Sequence, residues 1–151
     1  MAVIAKYFNK EFIRGVVIII YMLWLLFLAY KDICEKKLGN VKLLVLFLIS
    51  SVYVLLDIHR VKVYIFNFLV SFSFYFILYF LLHKKEIGGA DIKLLVIHGF
   101  MLGFWESVKA CMLGCIIAIL VNILYIRRNT LKTFALVPYL VIGMVGLYCF
   151  G

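Results

Sequence analysis

The sequence contains three aspartates, and two of them, Asp32 and Asp91, are candidates for a shared catalytic site. Two carboxylates that lie a few ångströms apart do not both ionise readily, so one keeps a proton while the other stays charged. The ionised carboxylate can take a proton from water, and the protonated one can polarise a peptide carbonyl. Such a pair can hydrolyse a peptide bond without a metal or a covalent intermediate, so we expect no cofactor.

Asp91 stands in the stretch "HKKEIGGADIKLLVIHGF", residues 83–100, between a glycine pair and a long apolar run. Gly88 and Gly89 let the backbone come close to a site, or to an extended substrate strand, where a larger side chain would block the approach. A helix that begins near Asp91 would direct the positive end of its dipole at the carboxylate and favour its ionised form. The stretch therefore predicts a carboxylate at the amino end of a helix.

The elements that position these side chains are predicted to be membrane-spanning helices. Hydrophobic residues make up 68% of the 151 residues, with one proline, and the mean hydropathy is +1.17. A soluble domain of this size could not bury so much apolar surface. The apolar runs approach or exceed the roughly 20 residues that cross a bilayer, and they lack the alternation of barrel strands. We therefore predict an all-α, polytopic membrane protein that forms a single domain over residues 1–151.

About six transmembrane helices are predicted, near residues 13–30, 41–57, 63–82, 92–104, 108–126 and 134–150. The fourth is short for a span. We expect it to be tilted, half-buried, or joined to the fifth through a tight turn at "FWES", residues 104–107.

The predicted spans place Asp32 and Asp91 at the same membrane boundary. Asp32 follows the first span and Asp91 opens the fourth, whereas Asp57 ends the second span on the opposite side. The predicted topology therefore allows a two-aspartate site formed by Asp32 and Asp91, and it excludes Asp57 from that site. With His59 and Arg60, Asp57 instead resembles a charge cluster at a helix end.

The distribution of basic residues predicts the orientation of the chain. The net charge is +9, and Lys and Arg cluster after the first, third and fifth spans: Lys31, Lys36, Lys37, Lys84, Lys85, Arg127, Arg128 and Lys132. By the positive-inside rule these connections face the cytoplasm and the N-terminus faces out. The charge then indicates contact with anionic lipids of the cell membrane rather than with nucleic acid.

Cysteine and histidine do not form a recognisable metal-binding pattern. The four cysteines are scattered and include no CxxC pair, and the three histidines are too dispersed to form a ligand set. Cys111 and Cys115 lie one helical turn apart, as small packing residues of a span often do. We therefore expect no metal site.

Each feature also has an ordinary structural explanation. Asp91 could be only a helix cap, and Asp32 could be a solvated ion-pair residue beside Lys31. The glycine pair could be only a turn, and Lys93 could extend to lipid headgroups. A small cation transporter or channel with boundary aspartates is the alternative from another class, but it would need polar residues deeper in the spans, and the sequence has few.

Taken together, three segments resemble the type IV prepilin peptidases, membrane aspartyl proteases that trim leader peptides from pilin-like precursors. "GGADIKLL" is similar to that family's G-x-G-D-x-K signature, and "DICEKKLGNVKLL" is similar to its other aspartate segment. "FALVPYLVIG" resembles the family's apolar ending, which centres on a proline, here Pro138. The order, spacing and membrane side of these segments agree with the family over essentially the whole chain.

The resemblance implies roles for seven residues: Asp32 and Asp91 as the catalytic pair, and Gly88, Gly89, Ala90, Lys93 and Asn40 as motif or supporting residues. Two departures from the family pattern stand out. Ala90 occupies a position where the signature most strictly has glycine, and Gly39 one where proline is common. Alanine restricts the backbone more than glycine does, so a catalytically inactive homologue is a further alternative.

The resemblance further implies a peptidase-only short form, without the N-methyltransferase segment that larger members carry. The implied substrate is a membrane-inserted, pilin-like precursor of the prepilin or Flp type, whose short basic leader is removed on the cytoplasmic side. Glu35 and Glu86 are the candidate acidic contacts for such a leader, because opposite charges favour this encounter.

Overall fold

The computed structural model of the chain describes residues 2–35, 39–81, 88–126 and 136–150. Within these ranges no strand is present, and a short 3-10 turn, Ile58–Arg60, precedes the third helix. The described residues form six helices: α1 (Ala2–Glu35), α2 (Asn40–Leu55), α3 (Val61–Leu81), α4 (Gly89–Leu102), α5 (Phe104–Ile126) and α6 (Val137–Phe150). The all-α prediction is thus confirmed.

The outer surface of the bundle is apolar. Large side chains such as Ile19, Phe66 and Ile119 are more than half exposed, and the segments Lys10–Glu35, Ile58–Leu81 and Phe104–Ile123 are long and apolar enough to cross a membrane. Lipid is the environment that covers an apolar surface of this extent at low cost. The chain is therefore a membrane protein, as its composition predicts.

α4 is the central helix of the bundle. It packs against α2, α3 and α5, and every residue from 94 to 99 is buried. A helix that is apolar all round and enclosed by its neighbours does not need the length of a lipid-facing span. The fourth predicted span is therefore buried more deeply than the sequence suggests, and this explains why it has only 14 residues.

The sequence predicts the turn between α4 and α5 at "FWES", but this turn lies at Gly103. Gly103 has a φ of 114°, which only glycine adopts without strain, and its N–H donates to the carbonyl of Gly99 over 3.0 Å. Residues 104–107 form the first turn of α5 instead. A single residue therefore reverses the chain between two closely packed helices.

Other helix bounds also differ from the prediction. α1 begins at Ala2, well before the predicted residue 13, because the segment ahead of the first apolar run continues the helix without a break. α6 begins at Val137, while residues 134 and 135 of the predicted sixth span lie outside the described residues.

Polar side chains fix α4 inside the bundle. The hydroxyl of Tyr21 on α1 hydrogen-bonds Nδ1 of His98 over 3.1 Å. The Ser107 hydroxyl of α5 donates to the carbonyl of Leu95 over 2.8 Å and lies 3.0 Å from the Tyr75 hydroxyl of α3. Buried polar groups are costly unless partnered, so these bonds favour one position of α4 over others.

α5 and α6 approach each other at backbone distance. A Cβ on Gly114 would lie 2.9 Å from the Leu140 Cα, and a Cβ on Gly143 would lie 2.9 Å from the Gly114 nitrogen and against the carbonyl oxygen of Ala110. Small residues at such positions allow helices in membranes to pack closely. The contact fixes where the amino end of α6 lies.

Candidate active site

Asp32 lies in the last turns of α1, and its side chain reaches the amino end of α6. The residue is buried, with 8% of its surface exposed, and its carboxylate accepts a hydrogen bond from the backbone N–H of Val137. Val137 is the first residue of α6, whose leading N–H groups have no partner within the helix. Asp32 therefore caps a helix other than its own.

Asp91 lies in the first turn of α4. Gly88 is the N-cap of this helix, and its backbone N–H donates to the Asp91 carboxylate. A side chain three residues past the N-cap that bonds back to the N-cap N–H is half of a capping box. The prediction that a helix begins close to Asp91 is confirmed, because α4 begins at Gly89.

The two carboxylates influence each other. Asp91 lies outside the candidate membrane spans, and burial together with the charge of Asp32 raises its pKa to about 6, against the opposing effect of the Gly88 N–H. The helix dipole, expected to favour ionised Asp91, is therefore outweighed by desolvation and by a like charge. One of the two carboxylates can hold a proton close to neutral pH while the other remains ionised.

Gly88 and Gly89 differ in how closely their surroundings approach them. A Cβ on Gly88 would lie 2.9 Å from Oδ2 of Asp91, whereas a Cβ on Gly89 would meet nothing within 4 Å. The absence of a Cβ at Gly88 therefore leaves the space that the Asp91 carboxylate occupies. Ala90, which departs from the family signature, packs against the hydrophobic core.

Lys93 and Asn40 are brought together. Lys93 Nζ donates to Asn40 Oδ1 over 2.8 Å, which joins α4 to the first residue of α2. The residue before Asn40, Gly39, has φ −67° and ψ 142°. Proline adopts this φ, so glycine at this position preserves the local geometry that proline would impose.

Of the two acidic residues expected to contact a leader, only Glu35 is described. Its carboxylate is paired with Lys31 over 2.6 Å and with Lys42 over 2.7 Å. Glu35 thus already has cationic partners on α1 and α2. Glu86 lies outside the described residues.

Asp57 lies apart from the pair, in a cluster of charged residues at the start of the 3-10 turn. Its carboxylate is 3.5 Å from Lys10, 3.6 Å from Arg14 and 3.9 Å from Arg60. Arg14 also donates to the Tyr53 hydroxyl over 2.8 Å. This network ties α1 to the α2–α3 connection, and the interpretation of Asp57 as part of a charge cluster at a helix end agrees with it.

A cavity of about 330 Å³ lies between α2, α3 and α4. Its walls are almost wholly apolar, and one part of its lining is formed by Ile92 and Lys93, which directly follow Asp91. The remaining walls are mostly aromatic and aliphatic, with Phe47, Phe68, Phe72, Phe76 and Val96 among them. The groove is therefore an apolar surface formed in part by α4, the helix that carries Asp91.

Val137 is the site residue that the sequence interpretation missed. Pro138 was available as a signal, because proline favours the first turn of a helix. The pattern "LVPYL" therefore indicates a helix start, but not which side chain faces it. Among the described residues, no group of three or more His, Cys, Asp or Glu side chains is arranged to hold a metal ion.

Comparison with known proteins gives one match. A family model described as "Type IV leader peptidase family" matches residues 19–126. The matched region includes Asp32, Asn40, Asp91 and Lys93, whereas α6 lies beyond it. No curated protein and no solved structure matches the chain.

Proposed function

The chain belongs to the type IV leader peptidase family, and on that premise we propose that it is an aspartic endopeptidase whose catalytic pair is Asp32 and Asp91. The observation that carries this proposal is the position of the two carboxylates. They come from α1 and α4, far apart in sequence, and the charge of Asp32 still contributes to raising the pKa of Asp91. A coupled carboxylate pair of this kind suits peptide hydrolysis by an activated water.

In the proposed reaction, the ionised carboxylate removes a proton from water as the water oxygen attacks the scissile carbonyl carbon. The protonated carboxylate donates its proton to the carbonyl oxygen, so that a neutral tetrahedral intermediate forms. Collapse of this intermediate breaks the C–N bond, and a proton passes to the leaving amine. General acid and base groups of this kind each contribute about 10²- to 10⁴-fold to the rate.

The proposed substrate is a pilin-like precursor with a short basic leader followed by an apolar helix. We place cleavage on the cytoplasmic side, with the N-terminus of the peptidase outside, because Lys and Arg cluster in the sequence after the first, third and fifth spans, next to Asp32 and Asp91 in the predicted topology. Anionic lipids of the same leaflet are proposed neighbours of these connections. We propose that residues 1–151 act as one peptidase domain.

We place the apolar helix of the substrate in the groove between α2, α3 and α4. The groove shares α4 with the candidate site, since Ile92 and Lys93 of its lining directly follow Asp91 in the chain. Its aromatic walls provide apolar contacts, while its volume of about 330 Å³ admits a narrow part of a helix rather than a globular partner. A precursor held there would present the peptide bond before its apolar helix to the two carboxylates.

The experiment that tests the proposed function is cleavage of a pilin-like precursor by the peptidase and its Asp32→Asn and Asp91→Asn variants. Asp57→Asn is the matched control, because Asp57 is also buried and charged but bonds Lys10 and Arg14 instead. We expect the first two variants to lose at least about 10³-fold in kcat. The control should cut within a few-fold of the wild-type rate.

Three results would contradict the proposal. Cleavage that survives both Asp32→Asn and Asp91→Asn would remove these residues from the chemistry. Loss of cleavage in Asp57→Asn with an unchanged thermal midpoint would show that a buried aspartate elsewhere matters as much. A cation flux that depends on Asp91, without any cleavage, would instead favour the transporter alternative.

A further inference from the structure

A cluster of basic side chains surrounds Asp57 at the end of the bundle opposite the candidate active site. This basic cluster consists of Lys10 and Arg14 of α1 and Arg60 of the 3-10 turn, which lie 3.5, 3.6 and 3.9 Å from the Asp57 carboxylate. Lys10 and Asp32 belong to the same helix, and the residues between them separate the two by about 33 Å along its axis. The basic cluster is therefore far from the two proposed catalytic carboxylates.

The carboxylates next to the basic cluster do not balance its charge. Charge-assisted hydrogen bonds between nitrogen cations and carboxylates are about 2.7–2.9 Å long, and each of the three contacts to Asp57 is longer. The second carboxylate, that of Glu11, is exposed and lies 3.3 Å from Arg14. Three cations thus face two carboxylates, and one positive charge remains for a further anion.

Arg14 is held in place but keeps one donor without an acceptor. Its guanidinium carbon lies 4.8 Å from the centroid of the Tyr53 ring, and the guanidinium donates to the Tyr53 hydroxyl over 2.8 Å. Its Nε is buried and has no hydrogen-bond partner among the described residues. Because a buried donor without an acceptor is costly, an oxygen atom of a ligand would be stabilised at this position.

The elements that carry the basic cluster also present large apolar side chains on their surface. Phe12 of α1, Ile58 of the 3-10 turn and Val63 of α3 are each more than half exposed. Phe12 lies between Lys10 and Arg14 in the chain, and Ile58 lies two residues before Arg60. A ligand that suits both features combines an anionic group with hydrocarbon chains, as an anionic phospholipid does.

We propose that the basic cluster binds the phosphate group of an anionic phospholipid, in the leaflet opposite the candidate active site. Lys10, which is partly exposed, and Arg60, which is mostly exposed, contact the phosphate oxygens. Arg14, which is mostly buried, supplies a fixed positive charge behind them. The site is separate from the lipid contacts of the basic connections near Asp32, and it does not depend on the proposed peptidase function.

Lipid binding by the full chain in detergent tests the proposed site. Native mass spectrometry measures how tightly the protein holds phosphatidylglycerol, and the thermal midpoint is measured with and without this lipid. Lys10→Gln and Arg60→Gln each remove one proposed phosphate contact. Lys62→Gln is the matched control, because Lys62 is exposed two residues after Arg60 and forms no ion pair among the described residues.

We expect Lys10→Gln and Arg60→Gln each to weaken the binding of phosphatidylglycerol by about five-fold, as the loss of one cation next to an anionic lipid should. The rise of the thermal midpoint with this lipid should be smaller in both variants than in wild type. Lys62→Gln should keep the wild-type affinity. Glu11→Gln should bind the lipid more tightly, because it removes an exposed negative charge beside Arg14.

Two further ligands distinguish the source of the phosphate. Phosphatidylcholine should bind more weakly than phosphatidylglycerol, because its choline offsets the phosphate charge, and inorganic phosphate should raise the thermal midpoint less, because it has no acyl chains. Equal stabilisation by inorganic phosphate would overturn the assignment to a lipid. Unchanged binding in Lys10→Gln and Arg60→Gln, or an equal loss in Lys62→Gln, would overturn the site itself, whether or not the chain cleaves a precursor.

Discussion

Lys93 on α4 donates a hydrogen bond to the side chain of Asn40, the first residue of α2, with an Nζ–Oδ1 distance of 2.8 Å. The two residues belong to the two separate segments that resemble the prepilin peptidase motifs. Lys93 lies two residues past Asp91, and Asn40 follows the connection that begins after Asp32. This bond therefore links α2, the helix that follows Asp32 in the chain, to α4, the helix that carries Asp91.

Removal of this bond should lower activity without abolishing it. We expect Lys93→Met and Asn40→Ala each to reduce kcat/KM by about five- to ten-fold, because the loss of a bond worth about 1 kcal/mol loosens the position of Asp91. Cleavage kinetics of the two single variants and the double variant provide the test. Since both remove the same bond, the double variant should lose no more than either single one. Fully additive losses would show that the two residues act separately. Lys109→Met is the control, because it removes a hydrogen bond to Glu106 within α5.

Gly88 and Gly89 should respond differently to the same substitution. A Cβ on Gly88 would lie 2.9 Å from the Asp91 Oδ2, whereas Gly89 has open space around it. We expect Gly88→Ala to displace the carboxylate and lower kcat by at least ten-fold, and Gly89→Ala to stay within a few-fold of wild type. Cleavage rates at saturating substrate measure this difference. Equal losses in the two variants would mean that backbone freedom, rather than space for the carboxylate, is what the glycine pair provides.

The sequence predicts the membrane fold, and it predicts one shared boundary for Asp32 and Asp91, because both predictions depend on the pattern of apolar runs. Apolar runs of span length determine the helices, and the order of the spans determines on which side Asp32, Asp57 and Asp91 fall. The turn at Gly103 was open to sequence analysis, because glycine commonly ends a helix and Gly103 directly precedes "FWES". The contact between Asp32 and the amino end of α6 depends on tertiary packing that no local pattern encodes, since it joins α1 to α6 across the folded bundle.

The pH dependence of cleavage should reflect the raised pKa of Asp91. One carboxylate of the proposed pair must hold a proton, and Asp91, with a pKa of about 6, is the candidate. The protonated form is lost as the pH rises through this value, so kcat/KM, which reports the groups of the free enzyme, should fall above about pH 6 and be roughly ten-fold lower at about pH 7 than on the acidic plateau. A kcat/KM profile in detergent or proteoliposomes checks this limb. A profile that stays flat up to pH 8 would show that cleavage does not need the proton held by Asp91.

The Asp91→Asn variant should be more stable than wild type at alkaline pH. The folded protein holds the Asp91 proton up to about pH 6, whereas the unfolded chain releases it near pH 4. The free energy of unfolding of the wild type therefore falls as the pH rises from about 4 to about 6. At higher pH it stays lowered, because the folded protein then carries the buried charge of Asp91. We expect the variant to exceed wild type by about 3 kcal/mol at pH 8 and to match it at pH 4. Unfolding of both proteins in the same detergent measures this. An equal difference at the two pH values would assign the gain to something other than the charge.

Substitution of Phe72 should separate substrate binding from chemistry. Phe72 lies on the wall of the groove between α2, α3 and α4, whereas Phe66 on the same helix is 65% exposed and does not line it. Phe72→Trp narrows a groove of about 330 Å³, so a precursor helix held there would bind less tightly while Asp32 and Asp91 stay in place. We expect KM to rise about ten-fold with little change in kcat, because uniform binding is lost. Phe66→Trp is the control and should leave both constants unchanged. If Phe72→Trp lowers kcat and leaves KM unchanged, the groove is not where the precursor helix lies, and the effect acts through the position of α4.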